Sequence, residues 1–229
     1  MTARSGSKSI QHKNIKLLNG IPLLSYRITS ALKTTFSHDL WISTDSKEYA
    51  EIANKFGAET PFIRPEELSL DDSSSSDVIL HAMAHANKIG KVYDYVGMLE
   101  PTSPFITSDQ LDSALASLDE NKKALAVVAV VESRPHKIFI QENSEFLVEL
   151  AENFKGLKNL GRQAFKKEIT PSGGFYISRW EAFLENESFY TSRTLSYEVD
   201  EISGLEIDEP RDWDFAEFII QNKGINEIK

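Results

Sequence analysis

Apolar positions along the chain switch repeatedly between helical and extended periods. Leu24, Ile28, Leu32 and Phe36 recur every four residues, which predicts a helix with one apolar face over about 22–36. Residues 39–43 (DLWIS) read as a short buried strand, 46–56 as a helix ended by Gly57, and 58–63 as another strand. The serine run 73–76 opens a helical pattern that continues through Val78, Ile79, Ala82 and Ala86; serine and aspartate at a helix start accept its free N–H groups. Residues 95–99 (YVGML) form a second core strand, and a helix follows near 107–120. The segment 124–131 (ALAVVAVV) is apolar throughout, as a strand covered on both faces should be.

Between 132 and 172 the rhythm loosens into polar sequence with short apolar pieces, KIFI and EFLVEL. Regularity returns at 173–178 (GGFYIS), with a strand at 195–199 and a last helix over about 210–221. Strands alternating with helices predict an α/β fold. Its main domain spans 1–131 and 173–229, and 132–172 is an inserted excursion or oligomerisation arm.

A chain of 229 residues is one large domain with at most a small appendage. The absence of cysteine excludes disulfide scaffolds, thiolate metal sites and cysteine nucleophiles. No apolar run approaches the roughly 20 residues that span a membrane, so a cytoplasmic protein is expected. A net charge of −10 argues against nucleic-acid and anionic-membrane partners. The distribution is uneven. Arg4, Lys8, Lys13, Lys16, Arg27 and Lys33 all precede the first acid, Asp39, whereas from Glu181 onward 13 acids face 4 bases. A basic pocket for a phosphorylated ligand opposite an acidic metal cluster would produce this asymmetry, and so would solvated helix faces of different sign.

Three motifs carry chemistry. In Ala3-Arg4-Ser5-Gly6-Ser7-Lys8 with Lys13-Asn14, small residues let backbone N–H groups approach phosphates while the cations supply charge-assisted hydrogen bonds. In Gly204-Leu205-Glu206-Ile207-Asp208, carboxylates two apart on extended backbone face the same side and can share a hard cation. Residues 99–104 (LEPTSP) follow a strand's carboxyl end, where open α/β sheets place ligand crevices. The five histidines show no triad-like arrangement.

Taken in order, ARSGSK…KN, ISTD ending at Asp45, RPEEL at 64–68, LEPTSPF at 99–105, PSGGFYI at 171–177 and EID at 206–208 strongly resemble the CMP-sialic acid synthetases (acylneuraminate cytidylyltransferases). The resemblance implies a Rossmann-like three-layer nucleotidyltransferase fold with a mostly parallel sheet, and a homodimer built through an arm from each subunit. It implies transfer of CMP from CTP to the anomeric hydroxyl of an acidic nine-carbon sugar, with Mg²⁺ or Mn²⁺. The family's catalytic positions fall on Arg4, Lys8, Lys13 and Asp208. Its nucleotide contacts fall on Arg4, Ser5, Ser7, Lys13, Asn14, Arg64, Ser74 and Ser75. The sugar side falls on Glu100, Lys137, Arg162, Tyr176, Phe189 and Tyr190, and the metal pair on Glu206 and Asp208. Paired aromatics at 189–190 suit either an N-acyl slot or plain core packing. Departures from the family are an apparently missing apolar first strand ahead of the basic loop, Ser9 in place of glycine, Glu206 in place of aspartate, and Glu100 in place of glutamine. Alternatives are a cytidylyltransferase for legionaminic or pseudaminic acid, or an inactive sugar-nucleotide-binding homologue.

Overall fold

The computed structural model describes residues 1–133 and 167–223, together with the two strand fragments Phe139–Ile140 and Val148–Glu149. The chain enters through Met1–Ala3, an extended segment lying parallel to 41–43: the Ala3 N–H donates to the Ser43 carbonyl, and the Ser43 N–H to that of Met1. Where an apolar strand was expected ahead of the basic loop, these three residues stand, with Met1 and Ala3 buried. The 40–43 segment in turn bridges to Glu59 in parallel, so the predicted strands at 39–43 and 58–63 are short extended stretches joined by single bridges.

A two-stranded hairpin, β1 (Leu17–Leu18) and β2 (Ile21–Pro22), turns at Asn19 and Gly20, both at positive φ. It leads into α1 (Leu23–Leu32). The predicted helix to 36 stops four residues early. Its last turn is closed at Thr34, whose N–H and hydroxyl both bond the Ala31 carbonyl, and the Asp112 carboxylate takes the next N–H, of Thr35. Helix α2 (Lys47–Lys55) is capped by the Ser46 hydroxyl and α3 (Ser75–Lys88) by that of Ser74.

The main sheet contains β3 (Tyr95–Met98), β4 (Ala126–Ser133), β7 (Glu168–Arg179) and β8 (Thr194–Glu198), with helix α4 (Ser108–Glu120) between β3 and β4. Strands β5 (Phe139–Ile140) and β6 (Val148–Glu149) pair antiparallel with each other. The sheet order is β3-β7-β4-β8. Strands β3, β4 and β8 run one way, and β7 alone runs against them. Strand β7 begins at Glu168, five residues before the predicted return to regularity, and Glu168 pairs with Ser133. The β4–β7 ladder thus runs into both ends of the presumed arm; the rest of that arm, with Lys137 and Arg162, lies outside the described residues.

Alternation along β4 explains the layers. Val127 and Ala129 face α4 through Leu111, Ala114 and Leu118, joined by Phe175 and Ile177 of β7. Val128 and Tyr176 point the other way, into a cluster with Ile79 and Met83 of α3 and with Trp180 and Phe183 of α5 (Trp180–Asn186). Helix α6 (Pro210–Lys223) packs Trp213, Ala216 and Ile219 against Leu23 and Tyr26 of α1. A cavity of about 630 Å³ opens between the 37–41 segment and β3; among the described residues, none of the predicted site residues lines it. Among the described residues no helix is long and apolar enough to cross a membrane.

Candidate active site

The carboxyl ends of β3 and β8, and of the 1–3 and 41–43 segments, all lead to one edge, where crevices form in sheets of this kind. The first contribution is the basic loop. Its Ser5 is held by Asp45, which accepts from the Ser5 N–H at 2.8 Å and from its hydroxyl at 2.7 Å. The buried Asn14 amide donates to the Arg4 carbonyl at 3.1 Å, fixing the other side of the same turn. Gly6 has nothing within 4 Å of where a Cβ would stand, so the face of the turn is open. Ser7 completes it by donating its N–H to the Ser5 carbonyl.

Arg4 and Lys8 both reach Asp71, in the loop before α3: Arg4 Nη1 lies 2.6 Å from Asp71 Oδ1, and Lys8 Nζ pairs with Oδ2. All three side chains are solvent-accessible, and the Lys8 ammonium and the Arg4 guanidinium hold the Asp71 carboxyl below its usual range. A single carboxylate thus occupies the two cations that the sequence assigns to a triphosphate.

Lys13 ties this loop to the acidic one. It is buried, and its Nζ donates to the Ile207 carbonyl at 2.8 Å and to Asp208 Oδ1 at 3.0 Å. The Ser9 hydroxyl bonds the Asp208 carbonyl. Asp212, in the first turn of α6, accepts from the N–H groups of Asp208 and Glu209 at 3.0 and 2.8 Å, so the helix start positions the carboxylate-bearing turn. The Ile207 side chain is wholly buried, which sends its neighbours Glu206 and Asp208 out on the opposite side.

Glu100, just past β3, joins these acids. A Cβ added at Gly173 would lie 2.1 Å from Glu206 Oε1 and 2.9 Å from Glu100 Oε2, so both carboxylates crowd the space that the glycine leaves. Burial, then the charges of Glu206 and Asp208, push the Glu100 carboxyl up to about 7. Burial and Asp208 do the same to Glu206, also to about 7. Carboxyls that hold protons this readily when alone accept a cation in the proton's place. Glu206 and Asp208 offer hard oxygen donors with Asp208 open to solvent, and this suits Mg²⁺ or Mn²⁺, which keep waters in their shells. Among the described residues no cluster of three or more His, Asp or Glu has metal-holding geometry.

The remaining predicted residues divide. Tyr176 stands beside Tyr190, with ring centroids 6.2 Å apart, and Tyr190 is exposed. Phe189 is buried 4.6 Å from the Phe183 ring, in the core reading rather than in an open slot. Arg64 is buried and turned inward, with Nε on the Ser43 hydroxyl at 3.0 Å and Nη2 on the Ser43 carbonyl. Ser74 and Ser75 are exposed at the α3 start. Asp45 and Asp71 go unpredicted as site residues. ISTD at a strand's end is a signal for the first, and no local pattern marks the second.

A family model described as Cytidylyltransferase matches residues 1–227. The chain is 32% identical over 226 residues to the N-acylneuraminate cytidylyltransferase of Escherichia coli O18:K1:H7, covering 99% of this chain and 52% of that protein. It thus spans about half that relative's length. It is 29% identical over 220 residues to the CMP-N,N'-diacetyllegionaminic acid synthase of Legionella pneumophila, covering 96% of this chain and 94% of that one. With a pseudaminic acid cytidylyltransferase of Campylobacter jejuni it shares 29% over 219 residues, covering 95% and 93%. A solved CMP:2-keto-3-deoxy-manno-octonic acid synthetase, complexed with CTP, has the same fold, with TM-score 0.68 over 97% of each chain at 14% identity. With a match running from the basic loop through the acidic turn, the chain belongs to the cytidylyltransferase family and is a nucleotidyltransferase.

Proposed function

We propose that the protein transfers CMP from CTP to the anomeric hydroxyl of an acidic nonulosonic sugar. The observation that carries this reading is the Lys13 bridge, which brings a phosphate-type basic loop against a carboxylate pair at one sheet edge. In the reaction the sugar hydroxyl attacks the α-phosphorus and gives up its proton to solvent, a new P–O bond forms, and the bond to the β-phosphate oxygen breaks to release pyrophosphate. No protein nucleophile is needed. Arg4, Lys8 and the open turn at Ser5–Ser7 bind the triphosphate, and Lys13 neutralises charge that grows on it in the transition state. Glu206 and Asp208 would hold Mg²⁺ or Mn²⁺, which when bound offsets phosphate charge.

On the sugar side, Glu100 accepts from hydroxyl or amide donors, Tyr176 and Tyr190 form an aromatic wall, and Lys137 and Arg162 meet the sugar's carboxylate. A planar guanidinium matches that group in two bonds. Relatives acting, by name, on N-acylneuraminic, legionaminic and pseudaminic acids lie at nearly equal identity, so all three acids belong to the substrate class tested. The working unit in this reading is a cytoplasmic homodimer built through 132–172, whose apolar pieces in polar surroundings suit a second subunit.

Pyrophosphate release from CTP, measured across these sugars with Mg²⁺ and again with EDTA, tests the proposal. Sugar-dependent release that the chelator abolishes supports it. Release that ignores the sugar or the chelator contradicts it.

A further inference from the structure

Arg27 stands in the middle of α1 and takes no part in the chemistry above. It is 0% exposed. Removing a guanidinium from water is costly unless its donors are met. Nη1 donates to the Ile106 carbonyl at 3.1 Å and to the Ser30 hydroxyl at 3.1 Å, Nη2 donates to the Gly174 carbonyl at 2.8 Å, and Nε has no partner. A side chain chosen only to fill this space would be apolar, because a buried charge replaced by packed hydrocarbon often gains stability.

What distinguishes Arg27 from a general strut is the pair of carbonyls it joins. Ile106 ends the 99–106 segment that begins beside Glu100. Gly174 follows Gly173, whose φ of +61° and missing Cβ make room for Glu100 and Glu206. The same two segments also touch directly, since a Cβ on Gly174 would meet Ile106 Cδ1 at 2.6 Å. Two residues beyond Gly174 on β7 stands Tyr176, beside Tyr190. The guanidinium fork therefore spans, from below, the two segments that carry the sugar-facing groups. Among the described residues, none of its hydrogen bonds goes to the basic loop or the acidic turn.

We propose that Arg27 is a positioning residue for the sugar side of the site, locking segment 99–106 to β7 at Gly174 and so setting where Glu100 and Tyr176 stand. The proposal rests on the sugar-cytidylyltransferase reading above. Arg27→Lys keeps the charge but cannot hold both carbonyls at once, and Arg27→Met keeps the bulk without either bond. In whichever variant melts cooperatively, KM for the sugar should rise by about tenfold to a hundredfold, the worth of a lost hydrogen bond from a charged donor. KM for CTP should stay within about twofold, since the nucleotide contacts are untouched. An unchanged sugar KM, or equal rises in both constants, overturns the proposal.

If neither variant folds, hydrogen exchange of the wild-type protein decides. Saturating sugar should slow exchange in 23–32 together with 171–177, and CTP alone should not; no response in 23–32 overturns it. If the wild-type protein makes no CMP-sugar at all, the functional reading fails on its own. Arg27 is then judged by exchange in Arg27→Lys: faster exchange confined to 99–106 and 171–177 upholds the lock, and an unaltered pattern there refutes it.

Discussion

Replacing Glu100 by glutamine isolates the charge buried on the proposed sugar side of the site. Burial and the charges of Glu206 and Asp208 raise the Glu100 carboxyl from an ordinary 4.5 to about 7. The folded protein therefore keeps a proton that the unfolded chain gives up once pH passes 4.5. Stability contributed by this group is full below that pH, declines as pH rises, and reaches its floor above about 7. One pH unit of proton affinity is worth about 1.4 kcal/mol, so the gap corresponds to at most ~3.5 kcal/mol. Part of it is repulsion shared with Glu206, and Glu100 is partly open to solvent, which leaves about 1–2 kcal/mol for Glu100 alone. Glutamine keeps the shape and removes the charge. In a protein of this size each kcal/mol moves Tm by about 2–4 °C, so Glu100→Gln should melt about 2–8 °C above the wild type at pH 8. At pH 4.5, where the carboxyl is protonated in the fold, the two should agree within about 1 °C. Scanning calorimetry in EDTA at the two pH values measures this directly. A variant that is no more stable than the wild type at pH 8, or equally shifted at both pH values, refutes the reasoning. The stabilised variant should also turn over sugar more slowly, the usual exchange when charge is buried for function.

Lys13→Ala should lower kcat/KM by about 10²-fold or more, because one substitution removes a proposed phosphate partner and frees Asp208, as steady-state kinetics would show. Asp71→Asn should lower KM for CTP by about two- to fivefold, since in the proposed site the triphosphate no longer displaces a carboxylate from Arg4 and Lys8, and exposed pairs of this kind are weak; a raised KM would mean that Asp71 orients Arg4 instead. Asp208→Asn should nearly abolish turnover while leaving the melting curve cooperative, and adding Mg²⁺ should no longer restore activity after EDTA.

Local chemistry made much of this fold readable. The unbroken apolar run in 124–131 does specify a strand covered on both faces, and Thr107 closes a capping box with Gln110 at the predicted start of α4. Asn19-Gly20 is an equally local hairpin signal, which a search for helical periodicity passes over. The early start of β7 is harder to see, because Pro171 and a polar stretch precede the apolar residues and the β4 register shifts between Val128 and Val130 to accommodate it. In the site, the basic loop and the EID turn stand out in the sequence because their residue types suit the phosphate and metal roles proposed for them, and the structure brings the two together through Lys13. Nothing local reveals that Arg27 and Arg64 turn inward, or that Asp71 pairs with Arg4 across 67 residues of chain. Those facts depend on which segments meet.

The central claim is that this sheet edge joins CMP to an acidic nonulosonic sugar. Mass spectrometry of a reaction containing CTP, Mg²⁺ and N-acylneuraminic, legionaminic or pseudaminic acid, with pyrophosphate counted in parallel, tests it most directly. The account predicts a CMP-sugar from at least one of these acids, one pyrophosphate per product, and none of either from Asp208→Asn. CTP consumed without a CMP-sugar, or no reaction with any of the acids, would contradict it.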